Sequence, residues 1–119
     1  MAARNTGFIE KPNIKVFIDS SFPVARFNDI LLGMEEEGIP YDVQVKEQTD
    51  VYELAHEASV NSRVGVGIGI GKEGIILQHE KLDKETPLFR IKLYQTDLYR
   101  KIGSNAARLV KKMPFKSLD

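Results

Sequence analysis

Apolar residues recur along this chain with two periods, about 3.6 and 2, and the switches between them mark out eight elements. The run Ile14-Lys15-Val16-Phe17-Ile18 is rich in strand formers, and Asp19, Ser20, Ser21 and Pro23 supply a turn and a helix start. Phe27, Ile30, Leu31 and Met34 then return every three or four positions, which predicts a helix over 24–37 with those side chains against a core. Gly38 suits the left-handed residue that closes a helix, and Pro40 forbids continuation. Tyr41-Asp42-Val43-Gln44-Val45 alternates as a half-buried strand does. Asp50 followed by Glu53 resembles a capping box, and the stripe of Val51, Leu54, Ala55 and Ala58 predicts a second helix to about residue 60.

In the second half Val64, Val66, Ile68 and Ile70 alternate with glycines. This predicts a strand with one bare face that a helix or ligand can approach closely. Gly69 to Gly74 also spells GxGxxG, but the dinucleotide motif should open a helix, and the apolar run 75–80 reads as another strand. Gly71-Lys72-Glu73-Gly74 is therefore expected to be a hairpin turn. After a polar loop over 81–87, Phe89, Ile91 and Leu93 alternate with Arg90, Lys92 and Tyr94, as in a strand at or near a sheet edge. Thr96 or Asp97 is expected to cap a last helix ended by Pro114, with Leu98, Ile102, Ala106, Leu109 and Met113 inward and Arg100, Ser104, Arg108 and Lys111 outward.

The order β-α-β-α-β-β-β-α predicts an α/β fold. Two right-handed crossovers and a hairpin give a three-layer α/β/α mixed five-stranded sheet of order 2-1-3-4-5, like that of anticodon-binding domains. Residues 1–12 lack periodicity and are expected to be a flexible N-terminal arm, leaving 13–119 as a single domain.

Charge changes this picture at the end of the first helix. Glu35, Glu36 and Glu37 fall in its last turn, beside unpaired carbonyls and the negative end of the helix dipole, which costs about 0.3–1 kcal/mol per charge at an exposed site. Something cationic relieves the mismatch. The candidates are a hard cation such as magnesium or calcium, a basic partner surface, or solvent alone. At 100° per residue Glu36 points almost directly away from the apolar face, with Glu35 and Glu37 on its flanks, and the outward face carries Ala25, Asn28, Asp29, Leu32 and Glu36. The formal charge is zero overall, yet residues 24–59 hold nine acids against two bases, a net of −7. Residues 90–119 hold eight bases against two acids, a net of +6. Such polarity steers association with a partner of matching polarity.

Composition removes several classes of chemistry. The 119 residues contain no cysteine, so disulfides, thiolate metal sites and cysteine nucleophiles are excluded. No apolar run reaches the roughly 18–20 residues of a membrane span, and no apolar signal core opens the chain, so a cytoplasmic setting without membrane contact is expected. There is no GxxxxGK[ST] loop, no recognisable Ser/His/Asp spacing and no zinc-type cluster, and His56 and His79 lack companions. The chain is expected not to be an enzyme by itself. Asp19, at the carboxyl end of a strand, is a candidate ligand residue, weighed against a turn residue bonding its own backbone. His56, off the core stripe, is expected at the surface.

Three blocks resemble a known family: Leu31-Leu32-Gly33-Met34-Glu35-Glu36-Glu37-Gly38-Ile39-Pro40, the strand Val64-Gly65-Val66-Gly67-Ile68, and Gly103-Ser104-Asn105-Ala106-Ala107-Arg108-Leu109-Val110-Lys111 with Pro114-Phe115. Together they resemble the small subunit of the reactivating factor for adenosylcobalamin-dependent diol and glycerol dehydratases, in the same order from residue 14 to the C-terminus. The resemblance implies a non-catalytic chaperone subunit that pairs with a large ATPase subunit in an α2β2 complex. It implies release of damaged cobalamin from the dehydratase by transient swapping with that enzyme's medium subunit. It further implies that Glu36 reaches Mg at the large-subunit interface, that Leu32, Glu35, Glu37 and Arg108 serve partner binding, and that ATP or ADP belongs to the complex, with no cofactor on this chain alone. Asn105 lies in the matching block without an assigned role. A microcompartment setting is left open.

Two other readings compete. One is the dehydratase medium subunit itself, against which the length of the chain is expected to speak, because that subunit carries additional N-terminal sequence. The other is an RNA-binding module with a basic last helix, opposed by the acidic first half and overall neutrality.

Overall fold

The computed structural model describes residues 11–47 and 50–119; the arm expected over 1–12 lies mostly outside the described residues. Five strands form one sheet: β1 (Ile14–Asp19), β2 (Tyr41–Lys46), β3 (Val66–Gly71), β4 (Gly74–His79) and β5 (Phe89–Ile91). Their order is β2-β1-β3-β4-β5, as the periods predict. β1 pairs parallel with β2 and β3, whereas β4 runs antiparallel to β3 and β5. β3 lies at the centre, and it and the neighbouring β1 are buried along their whole length.

Three α-helices cover the two faces: α1 (Asn28–Glu36), α2 (Val51–Asn61) and α3 (Tyr99–Lys111). α2 lies on β1, β3 and β4, while α1 and α3 pack against each other on the opposite face. The α1/α3 side holds the larger core. There Ile14, Val16 and Ile18 of β1, Val66, Ile68 and Ile70 of β3, and Ile75 and Leu77 of β4 meet Phe27, Ile30, Met34, Ile102, Ala106 and Ala107.

Glycines set the helix positions. A Cβ on Gly67 would lie 2.3 Å from the Ser59 amide nitrogen, and one on Gly69 would lie 2.5 Å from that of Ala55. The bare sheet face read from the sequence is therefore filled by a helix, α2, resting directly on the strand backbone. The crossing of α1 and α3 uses the same device twice. A Cβ on Gly33 would lie 2.2 Å from the Arg100 carbonyl oxygen, and one on Gly103 would lie 2.0 Å from that of Ile30.

Local chemistry moved some boundaries. Residues 24–27 form a 3-10 turn, in which the Arg26 amide reaches the Pro23 carbonyl at 3.2 Å, and α1 begins only at Asn28. α2 begins behind Asp50, whose carboxylate accepts from the Tyr52 amide at 3.0 Å, but Glu53 pairs with Lys84 and does not complete a capping box. β5 stops at Ile91 because Lys92–Gln95 forms a turn, closed by Gln95 N–H to the Lys92 carbonyl at 3.0 Å. Thr96 and Asp97 lie in a 3-10 turn without a side-chain cap bond, and α3 starts at Tyr99. α3 ends on Lys112 in the left-handed region, φ 60°, so Met113 leaves the helix and is exposed instead of joining the core stripe. The tail then folds back: Asn105, fully buried, donates to the Lys116 carbonyl at 2.9 Å and accepts from its amide at 2.7 Å. Phe115 meets Phe89 edge to face.

Candidate functional site

The acidic end of α1 closes as its sequence dictates. Gly38 adopts φ 79°, its amide reaches the Glu35 carbonyl at 3.0 Å, and the Ile39 amide reaches the Met34 carbonyl at 3.2 Å. This double bond pattern satisfies two of the orphan carbonyls and fixes the directions of the three glutamates.

Glu37 turns inward, toward α3. Its Oε1 accepts from Lys111 Nζ at 2.8 Å, and its Oε2 accepts from Ser104 Oγ at 2.6 Å and Arg108 Nε at 2.9 Å. Lys111 also donates to the Glu37 backbone carbonyl at 2.8 Å, so a cation sits where the helix dipole calls for one. The bond from Lys111, then those from Ser104 and Arg108, hold the Glu37 carboxyl down at about 2, from an ordinary 4.5. Its side chain is only 11% exposed.

This arrangement corrects two expectations. Ser104 does not project outward; it is fully buried between α1 and α3, because Gly103 and Gly33 let the helices approach main chain to main chain. The charge polarity of the two halves, expected to steer a partner, is in good part spent within the molecule, since Arg100, Arg108 and Lys111 of the basic half meet Asp29, Glu36 and Glu37 of the acidic half. Arg108 also donates to the Pro114 carbonyl at 3.1 Å, which ties the tail to the same cluster. The run of small residues in α3 and the matched charge blocks were the sequence signals for this internal contact.

Glu36 points outward as expected, its side chain 52% exposed. Its Oε2 accepts from Arg100 Nη1 at 2.8 Å, whereas Oε1 has no hydrogen-bond partner among the described residues. An ion pair this exposed contributes about 0.2–1 kcal/mol and leaves the carboxylate within reach of a stronger ligand. Leu32, exposed at 38%, and Glu35, which accepts from the Tyr41 hydroxyl, lie on the same outer side of α1. That hydrogen bond raises the Tyr41 phenol above its ordinary value. Between α1 and β2, Asn28, Leu31, Leu32, Glu35 and Tyr41 line a shallow depression of about 260 Å³.

As a place for a hard cation, this end of α1 fits as a contributor. It offers one oxygen-donor ligand on a rigid helix with a free oxygen, the chemistry magnesium prefers. Among the described residues no group of three or more His, Cys, Asp or Glu could hold a metal ion.

The other candidates resolve into structural roles. Asp19 is buried, and its Oδ1 accepts from the Ser21 amide and hydroxyl, both at 3.0 Å, the turn reading of that residue. Asn105 clamps the tail by bonds to backbone. His56 is half-buried rather than at the surface, with a buried Nδ1 that has no hydrogen-bond partner among the described residues. No helix among the described residues is long and apolar enough to cross a membrane.

A mixed sheet of this order with an acidic helix end on its outer layer defines a class, and comparison with known proteins identifies it. The family model described as the dehydratase medium subunit matches residues 11–116. The propanediol dehydratase-reactivating factor small subunit of Citrobacter freundii is 45% identical over 92 residues, 76% of this chain and 78% of that protein. The equivalent protein of Salmonella typhimurium is 37% identical, over 77% of this chain and 80% of its own length. A solved glycerol dehydratase reactivase superposes with a TM-score of 0.85 at 30% identity, covering 92% of this chain and all of that one. A chain of the diol dehydratase-reactivating factor complexed with ADP and Mg2+ superposes at 0.84 with 32% identity, covering 91% of this chain and all of that one. The chain belongs to the dehydratase medium-subunit family, among the small subunits of dehydratase-reactivating factors.

Proposed function

We propose that this chain is the non-catalytic small subunit of an ATP-dependent reactivating factor that frees damaged cobalamin from an adenosylcobalamin-dependent diol or glycerol dehydratase. The observation that carries the reading is a double likeness. Relatives 36–45% identical to this chain are named reactivating-factor small subunits, and residues 11–116 match the family model described as the dehydratase medium subunit. A chain with the medium subunit's fold can take that subunit's place, and such an exchange opens the dehydratase so that damaged coenzyme leaves. The propanediol, diol and glycerol of the relatives' names make the client's substrate a short polyol.

In this reading the ATPase resides on a large partner subunit, two copies of each forming the complex in the cytoplasm. The partner docks on the outer side of α1, against Leu32 and Glu35, with Arg108 and Glu37 holding the helix end in place from beneath. Glu36 would hold a magnesium ion at the interface through its free Oε1, where the ion would supply Lewis-acid charge; a solved relative is complexed with ADP and Mg2+. Nothing in this scheme asks the chain to bind a nucleotide.

Glu36→Gln tests it. The variant is expected to keep its circular dichroism and to change stability by less than about 0.5 kcal/mol, as exposed positions do. Co-purification with the large subunit should weaken at least about tenfold, near 1.4 kcal/mol, as befits a lost metal ligand. Reactivation of inactivated dehydratase with ATP, magnesium and fresh coenzyme should fall with it. Unchanged assembly and unchanged reactivation would remove Glu36 from the docking scheme.

A further inference from the structure

The glycine crossing decides where the Arg100 guanidinium emerges. The Arg100 carbonyl rests over Gly33 of α1, and the α1 residues four before and three after Gly33 are Asp29 and Glu36. Residues at these spacings share one stripe of a helix, so Arg100 leaves α3 between two carboxylates. Its Nη1 lies 2.8 Å from Glu36 Oε2 and its Nη2 lies 3.5 Å from Asp29 Oδ1. All three side chains are about half exposed, at 45% for Arg100, 52% for Glu36 and 55% for Asp29. Neither Arg100 nor Asp29 bonds to the Glu37 cluster, so they do not hold the helix end shut.

Resting on the docking role of Glu36 given above, we propose that Arg100 is a positioning residue that neutralises Glu36 in the free subunit and passes to Asp29 when Glu36 takes a divalent cation. A metal ion on Glu36 repels a guanidinium 2.8 Å away from that carboxylate. Asp29 is already in contact with the other arm of the same fork, so the exchange needs only a rotation of the Arg100 side chain and leaves no charge unpaired. Arg100 thereby discourages cation capture before the partner arrives, and Asp29 lowers the cost of release.

The test uses the full chain and two readouts. In the first, Mn2+ is titrated into the isolated chain and the paramagnetic broadening of the Glu36 carboxyl carbon is followed by NMR. Arg100→Met should bind the ion about two- to fivefold more tightly, the range an exposed ion pair can contribute, and Asp29→Asn about two- to fivefold more weakly. In the Arg100→Met background, Asp29→Asn should lose most of its effect, because no arginine remains to be received. A merely electrostatic contribution of Asp29 would persist there. In the second readout, the dissociation constant for the large subunit in magnesium should shift in the same directions. Weaker Mn2+ binding by Arg100→Met, or no change, overturns the proposal. If Glu36→Gln leaves assembly intact while Arg100→Met still tightens Mn2+ binding, the docking reading fails and the exchange stands as a property of the free chain.

Discussion

Replacing Glu37 by glutamine removes the charge at the centre of the α1/α3 contact while keeping its shape. The wild-type carboxylate, 11% exposed, accepts from Lys111, Ser104 and Arg108 and is held near 2 instead of 4.5. At 1.36 kcal/mol for each tenfold change in proton affinity, that gap sets an upper bound of roughly 3.4 kcal/mol on its contribution to folding. The cations stand at the rim, Arg108 24% and Lys111 29% exposed, so solvent and salt screen them and about 2 kcal/mol is expected. The sign follows from the direction of the shift. A carboxylate whose folded value is depressed stabilises fully above 4.5, and that contribution fades as the pH falls toward about 2. Urea unfolding of both proteins should therefore show a gap of about 2 kcal/mol near neutral pH that closes to under about half by pH 3. Moderate salt should narrow it at neutral pH. A gap of the same size at both pH values would refute the reasoning, because the stability lost would then not reside in an ionised Glu37.

The glycine crossing gives a larger effect. Gly103→Ala would place a Cβ 2.0 Å from the Ile30 carbonyl oxygen, and this backbone clash should outweigh the roughly 1 kcal/mol alanine gains in a helix, lowering the melting temperature by about 10 °C. A raised melting temperature would show the helices free to part. Gly69→Ala should behave alike, since its Cβ would meet the backbone of α2 at 2.5 Å. Asn105→Ala should free the tail, speeding amide exchange over 113–119 and costing about 1–3 kcal/mol for the two hydrogen bonds lost to Lys116. Asn105→Asp, which keeps only the acceptor, should lie between. Spectrophotometric titration should find Tyr41 ionising later than an ordinary phenol, and Glu35→Gln should bring it back toward that value.

The layers and strand order were legible because β2 and β3 alternate, β1 and β4 are short apolar runs bounded by turn residues, and α1 ends in a Gly-x-Pro stop. The outward direction of Glu36 was legible too, since a helix with one apolar face has only one opposite side. Ser104 was not. A stripe rule sorts residues by polarity, and a hydroxyl among glycine and alanines is buried here because the backbones touch and Glu37 accepts its hydrogen bond. Lys15 likewise interrupts an apolar strand yet is buried, its Nζ 3.0 Å from Asp42 of the neighbouring strand, a pairing that depends on register between elements 27 residues apart. Strand and helix ends were misjudged where turns compete, at 24–27 and 92–98, because the deciding hydrogen bonds are tertiary or come from the turn itself.

The paired contacts of Gly33 with Arg100 and of Gly103 with Ile30 have a bearing on recognition. Where the two helices meet main chain to main chain, at Gly33 and Gly103, no long side chain separates them to act as a bearing, so sliding or rolling the first over the last breaks contact. A visiting protein thus meets a surface whose shape is settled in advance. Association loses little to ordering the receptor, and any replacement that loosens the crossing should first appear as slower, less selective capture, well before the chain unfolds.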